Sequence, residues 1–271
     1  MYLAIDVGGT KTLLAIFSQD GEILTSKKIH TDPDYGRFLA SIKEVISNEF
    51  RQFQINSCCC AIPGTVDRQN GLGLRFGNLD WQKVPIRHDI SQLIGGGQTL
   101  VEHDAALGGL SEALLLKDRY RRVLYIAPGT GIGVAFIING RIDSDLADNE
   151  AGHMVVLEQN NYFYTWEDLA SGRALLAKYG ELASEIKDSN IWAAFAQDFA
   201  RGLQPLLATL QPDIVVLGAA IGARLHYFSG ALQEEIKKRQ NKMVAIPPIT
   251  QAKKPEEAVV YGCYEFIKQN N

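Results

Sequence analysis

No apolar run in the sequence approaches the ~18 to 20 residues needed to span a bilayer, and the N-terminus lacks the basic, apolar and cleavage-site succession of a signal peptide. The expected location is therefore cytoplasmic. Lys and Arg are not gathered into a tract, and the formal net charge is −4, so no global basic field is present to hold nucleic acid. Cysteine is scarce, with four in 271 residues. Cys58, Cys59 and Cys60 are adjacent, which fits neither a zinc site nor a disulfide framework. Their expected role is that of small buried residues in a core strand. With membrane and nucleic acid set aside as partners, small-molecule chemistry is the default. Hydrophobic residues make up 46% of the chain, enough for one large core or two ordinary ones.

What is present is a pattern that occurs twice. "LAIDVGGTKTLLAIF" sets apolar runs on either side of Asp6-Val7-Gly8-Gly9-Thr10-Lys11-Thr12, and a polar turn and a further strand (residues 22–29) complete a β-meander. "VLYIAPGTGIGVAFIINGRI", starting at Val123, repeats strand, Gly-rich turn, strand, Asn-Gly turn, strand, which suggests duplication. Phe38, Leu39, Ile42, Val45, Ile46 and Phe50 recur at helical spacing over 36–50, ahead of a buried strand at 57–62. "QTLVEHDAALGGLSEALLL" reads as a strand ending at Glu102-His103-Asp104 and handing over to a helix. Helices are also expected at 167–179, 190–210 and 227–240. The C-terminal stretch "PEEAVVYGCYEFIKQ" should be helical and pack back on the first lobe. The fold class is α/β, with duplicated lobes around a cleft: a smaller lobe from residues 1–103 plus 255–271, and a larger one from 104–254.

The second glycine cluster, Gly129-Thr130-Gly131-Ile132-Gly133, is followed by the strand "VAFII". A dinucleotide fingerprint instead needs a helix whose N-terminus faces the pyrophosphate, so the Rossmann reading is poor. A glycine-built hairpin can still hold phosphate through converging N–H groups and Thr hydroxyls. Equally, the glycines can serve only to permit tight turns. A carboxylate such as Asp6 beside phosphate donors calls for Mg²⁺ or its water shell between the two charges. Lys11 is either a phosphate contact or a solvated turn residue.

These stretches resemble the ROK family of bacterial sugar kinases and repressors, within the hexokinase, actin and Hsp70 superfamily. "DVGGTKT" is similar to its first phosphate motif, "APGTGIGVAFIING" to its second, and "DIVVLGAAIGA" to its adenosine-side motif. "AIPGTVDRQNG" with "GNLDW" resembles the sugar-side loop, "VEHDAALGGLSEA" the segment of the catalytic acid, and "NEAGH" and "WEDLASGRAL" two further sugar-contact motifs. The resemblance implies a two-lobed actin-like ATPase (ribonuclease H-like) fold. It further implies transfer of the γ-phosphoryl of ATP, with Mg²⁺, to the 6-hydroxyl of a hexose, glucose first and N-acetylhexosamines or mannose behind it.

Carried over residue by residue, Asp104 is the base for the attacking hydroxyl, although an Asp at that place also suits a helix N-cap. Gly64, Asn78, His103, Glu150, His153 and Glu167 hold the sugar. Gly8, Gly9, Thr10 and Lys11, with Gly129, Thr130 and Gly131, hold the phosphates; Gly218 and Ala219 lie on the adenosine side; and Asp6 holds Mg²⁺ through water. Taken singly, Glu150 and Glu167 read as solvated acids, and Trp81 reads as packing.

The chain departs from the family at three points. His103 stands where the family has Asn. No cysteine follows "NEAGH", so no structural zinc is expected. Gly218-Ala219-Ala220 replaces a Gly-Gly-Gly loop, which narrows the space against a purine. The last two features also resemble polyphosphate-dependent glucokinases. No helix-turn-helix precedes the first strand, which points away from the repressor branch, and a homodimer is expected by analogy. The reading from another class is a sugar-binding regulatory protein without turnover.

Overall fold

The opening meander forms as the pattern requires. In the computed structural model, which describes residues Met1–Asn271, β1 (Tyr2–Val7), β2 (Lys11–Phe17) and β3 (Ile23–His30) pair antiparallel. Then follow α1 (Tyr35–Asn48), β4 (Ser57–Ile62), β5 (Gly64–Asp67), β6 (Leu72–Phe76), β7 (Gln82–Val84), α2 (Ile86–Leu93), β8 (Gln98–His103) and α3 (Asp104–Leu114). The main sheet runs β3-β2-β1-β4-β8, with β4 parallel to β1 and β8 parallel to β4. β1 and β4 are buried on both faces, which is why they read as unbroken apolar runs; β3, at the edge, alternates between exposed and part-buried residues. Cys58, Cys59 and Cys60 are buried in β4. α1 starts where Asp34 accepts the Arg37 N–H at 2.9 Å and buries Phe38, Ile42 and Val45.

The second meander comprises β9 (Arg122–Pro128), β10 (Ile132–Ile138) and β11 (Arg141–Ile142). A short 3₁₀ turn (Ala151–His153) leads to β12 (Val155–Gln159), β13 (Tyr162–Thr165), α4 (Trp166–Ala170) and α5 (Gly172–Tyr179). The long α6 (Ser189–Leu210) precedes β14 (Ile214–Leu217), α7 (Ala219–Gly222), α8 (Leu225–Lys238), β15 (Ile249–Gln251) and α9 (Ala258–Asn270). The sheet order is β11-β10-β9-β14-β15, with β14 parallel to β9 and β15 parallel to β14. Five strands, an antiparallel meander and two added parallel strands thus recur in the same arrangement. Trp166, Trp192, Phe195, Phe199 and Phe228 fill this second core.

The chain divides into a first unit, Met1–Ser111 with Val259–Asn271, and a second, Glu112–Ala258. The crossing falls inside α3, after Ser111, whereas the sequence pattern put it before Asp104. Two contacts give the reason. The first turns of α3 lie so close to α9 that a Cβ on Gly262 would come 1.9 Å from the Leu107 carbonyl oxygen. The buried Glu112 carboxylate, by contrast, accepts the N–H groups of Lys253 and Lys254 at 2.9 and 3.0 Å. The helix expected over 167–179 is likewise two helices, broken at Ser171. There the Gly172 N–H donates to the Gly129 carbonyl at 2.7 Å, and a Cβ on Gly172 would sit 2.8 Å from that oxygen. The second glycine turn docks into the break. α8 lies slightly earlier than the expected 227–240.

Candidate active site

In the first unit the parallel strands bring their C-terminal ends together, the place where an open α/β sheet presents its ligand-facing side chains. The β1, β4 and β8 registers align Asp6 with Ala61 and Ala61 with Glu102, so His103 and Asp104 follow directly beyond that row. The turn after Asp6 is closed by the Gly8 N–H donating to the Lys11 carbonyl at 3.0 Å. A Cβ on Gly8 would approach that oxygen to 2.7 Å, and one on Gly9 would approach Asn78 Cβ to 2.8 Å. The first glycine turn and Asn78 therefore touch. Gly64, at the start of β5, is excluded from any other identity by the Arg75 carbonyl oxygen, 1.9 Å from where its Cβ would be. Thr10 and Lys11 are exposed.

Asp6 is part-buried at a crowded strand end. Burial, then the neighbouring Asp104 carboxylate, push its carboxyl up from 3.8 to about 7, opposed by Lys28. Asp104 is the first residue of α3, with a third of its side chain exposed, and its Oδ1 lies 2.6 Å from the Ala105 nitrogen and 3.5 Å from His103 Nδ1. The carboxylate thus stands at the helix start, turned partly to solvent beside His103.

Behind it is a pair that the sequence pattern did not single out. Glu102, only 2% exposed, accepts two bonds from Arg68, at 2.7 Å from Nε and 2.5 Å from Nη2, and a third from the His103 N–H at 2.7 Å. Arg87 donates in turn to the carbonyls of Arg68 and Gln69, at 2.5 and 3.1 Å. The β5–β6 hairpin is thereby fixed to the strand end that carries Asp104. Trp81 is buried among Tyr35, Phe38 and Phe76, with Nε1 donating to the Pro33 carbonyl. It is packing, as expected.

In the second unit the turn after β9 closes with the Gly129 N–H donating to the Gly131 carbonyl at 2.9 Å. Thr130 is exposed at its apex. Glu167, in the first turn of α4, lies against this turn: its Oε2 accepts the Ile132 N–H at 3.3 Å and would be 2.5 Å from a Cβ on Gly131. Its Oε1 accepts from Arg173 at 2.8 Å and lies 3.7 Å from His153 Nδ1. His153 Nε2 is in turn 3.9 Å from Glu150 Oε2. Glu167 is thus held on two sides rather than solvated, whereas Glu150 and His153 remain substantially exposed.

Gly218 and Ala219 adjoin the same turn, with Ala219 Cβ 3.6 Å from where a Cβ on Gly129 would stand. Only glycine fits at 218, because a Cβ would come 2.0 Å from the Tyr125 hydroxyl. Ala219 itself sits at φ 53°, the left-handed region that a methyl-bearing residue rarely adopts. The segment after His153 forms the β12–β13 hairpin. Arg173 carried a faint signal, since it lies within "WEDLASGRAL" beside the predicted Glu167. Arg68 carried a signal of the same kind, lying within "AIPGTVDRQNG", but nothing in that stretch points to Glu102, 34 residues away.

Repeated five-stranded units, each opening on a glycine-turned hairpin, define the actin-like ATPase fold. The chain belongs to the ROK family, whose model matches residues 2–270. It is 26% identical over 298 residues to an N-acetyl-D-glucosamine kinase of Haemophilus influenzae (strain 86-028NP), covering 97% of both chains. Among solved structures it is similar to a ROK family glucokinase from Streptomyces griseus in complex with glucose and AMPPNP, with a TM-score of 0.84, 20% identity and 99% of both chains covered. It is also similar to an inorganic polyphosphate/ATP-glucomannokinase from an Arthrobacter strain, with a TM-score of 0.76, 22% identity, and 100% of this chain and 99% of that one covered. No helix of the chain is long and apolar enough to cross a membrane.

Proposed function

We propose that the chain is a sugar kinase that transfers the γ-phosphoryl of ATP to the 6-hydroxyl of a hexose, with glucose as the leading acceptor. The observation that carries this reading is Asp104. It is a part-exposed carboxylate at the C-terminal end of a parallel strand, beside Asp6 and braced from behind by the Glu102–Arg68 pair. Phosphoryl transfer asks the protein for positioning, charge neutralisation and a proton acceptor, and Asp104 is the acceptor. Its carboxylate takes the proton of the attacking hydroxyl as the bond to phosphorus forms.

Asn78, Glu150, His153 and Glu167, with the Gly64 segment and His103, hold the sugar hydroxyls. Each hydroxyl both donates and accepts, and a mismatched epimer leaves polar groups unpaired. Gly8, Gly9, Thr10 and Lys11 in the first unit, and Gly129, Thr130 and Gly131 in the second, bind the phosphate chain; Gly218 and Ala219 border the adenosine.

The Asp6 site fits Mg²⁺. No group of three or more His, Cys, Asp or Glu side chains is placed to hold a metal ion, and Mg²⁺ needs none, since it keeps waters and takes substrate phosphates alongside one or two carboxylates. When bound it offsets the charge of the phosphates. Asp6, already crowded by the charge of Asp104, is the carboxylate suited to hold it through water.

The N-acetyl-D-glucosamine kinase relationship supports an N-acetylhexosamine as the second acceptor to try, and the glucomannokinase similarity supports polyphosphate as the second donor. A coupled assay across glucose, N-acetylglucosamine and mannose with ATP and with polyphosphate tests the reading. ADP formation with glucose is the expected result. Sugar binding with neither ADP release nor polyphosphate consumption for any sugar would show a binding protein instead.

A further inference from the structure

Sheet register places basic side chains beside the first glycine turn that no motif predicted. Residues directly opposite each other in an antiparallel ladder project to the same face. Asp6 pairs with Leu13 and Leu13 with Lys28, while Lys11 pairs with His30. The ladder is regular over this stretch, its one irregularity lying at Ile16/Phe17. Asp6, Lys11, Lys28 and His30 therefore share one face of the β1–β2–β3 corner. The ring contacts of α9 to this face are made at its other end, Tyr2 with Tyr264 and Phe17 with Tyr261 and Tyr264.

Lys11, Lys28 and His30 are exposed, and no carboxylate lies within ion-pair distance of them. Lys27, on the opposite face, is by contrast paired with Glu49 at 2.8 Å. His30 is also oriented: its Nδ1 lies 3.1 Å from the Thr10 carbonyl of the turn, and a carbonyl only accepts, so Nδ1 donates there and Nε2 is left for a ligand. Lys28 is near enough to Asp6 for its charge to favour the ionised carboxylate.

We propose that Lys28 and His30, together with Lys11, form an anion-binding row that holds the phosphoanhydride chain of the donor alongside the first glycine turn. This rests on the kinase reading for the word donor, but the row can be tested without turnover. Cations on one face, a few ångströms apart across a strand pair, suit a linear chain of phosphates better than a single anion, since each phosphate meets a charge-assisted partner in turn. Lys28 then supplies the positive charge at the position where Leu13, between it and Asp6, supplies none.

Calorimetric titration with inorganic tripolyphosphate is the test. The wild-type protein should bind it, Lys28→Met should weaken binding at least about tenfold, and His30→Gln should weaken it about threefold. Lys28→Arg should restore most of the loss, and Lys27→Met, one residue away on the other face, should leave it within about twofold. All these positions are exposed or part-exposed, and a melting curve for each variant checks folding. Competition by ATP assigns the row to a nucleoside triphosphate; tripolyphosphate binding that ATP does not displace assigns it to an inorganic chain. No binding by the wild type, unchanged binding by Lys28→Met, or an equal loss in Lys27→Met overturns the proposal. Tripolyphosphate binding with neither sugar-dependent ADP formation nor sugar-dependent polyphosphate consumption would sink the kinase reading alone and leave the row standing.

Discussion

The two glycine turns are copies of one device that have taken different chemistry. Both close an antiparallel hairpin by a bond from the first glycine N–H, to Lys11 in one and Gly131 in the other. Both sit at the end of a central strand in sheets of the same order. Their registers differ: Val7 pairs with Thr12 across residues 8–11, whereas Pro128 pairs with Ile132 across only 129–131. The strand-end position of Asp6 is taken by Ala127 in the second copy, so the carboxylate suited to a cation is present once. The second turn is instead pinned from outside, by Glu167 on Ile132 and by the start of α5 on Gly129. Backbone geometry survived duplication, and the side chains at the strand ends diverged.

Removing the carboxylate of the first turn tests the difference most strongly. Asp6→Asn should lower turnover by about 10²-fold or more if the phosphate chain depends on a cation held there, while raising stability at alkaline pH. Folding retains the Asp6 proton up to about pH 7, whereas the unfolded chain releases it near 3.8. The native state therefore binds the extra proton between those values, and stability falls as pH rises through that window. Above pH 7 the penalty is complete, and Asp6→Asn should be more stable than wild type by about 2 kcal/mol in the absence of divalent ions. Urea melts at pH 5 and pH 8 measure this. A variant equally or less stable at pH 8 would show that Asp6 is not strained by its surroundings.

The charged pairs behind each half sharpen the contrast. Glu102 is fully buried, so Arg68→Met strands a carboxylate and should cost about 3 kcal/mol. Arg173 is half exposed, so Arg173→Met should cost under about 1 kcal/mol of stability yet raise the sugar KM by loosening Glu167. Thermal melts with sugar titrations separate these outcomes; equal stability losses would contradict the burial difference.

The smallest effects lie in the glycines themselves. A Cβ at Gly129 meets only Ala219 at 3.6 Å, an ordinary contact, whereas one at Gly131 would displace Glu167. Gly129→Ala should therefore keep sugar affinity within about twofold, and Gly131→Ala should weaken it severalfold, as direct sugar titration would show.

Much of this arrangement was legible in the sequence because it depends on local pattern. The β1–β2–β3 meander and its copy follow from apolar runs broken by glycines, and the Asp104 strand-to-helix handover follows from "VEHDAALGG". What was not legible depends on tertiary contact. The break at Ser171 exists because a distant carbonyl, that of Gly129, needs a donor there. Arg68 finds Glu102 across 34 residues, and Lys28 reaches Asp6 only through strand pairing. The stretch that resembled the sugar-side loop belongs to the β5-β6-β7 sheet, whose strands of four, five and three residues, the first two joined by the turn at Arg68-Gln69-Asn70-Gly71, are too short for their alternation to stand out.

Single-turnover kinetics on wild type and Asp104→Asn, with sugar affinity measured in parallel, decide whether Asp104 is the base. Loss of the phosphoryl-transfer rate by at least about 10²-fold, with sugar Kd changed by less than about threefold, is the expected result. A folded Asp104→Asn protein that transfers phosphoryl at near the wild-type rate would contradict it.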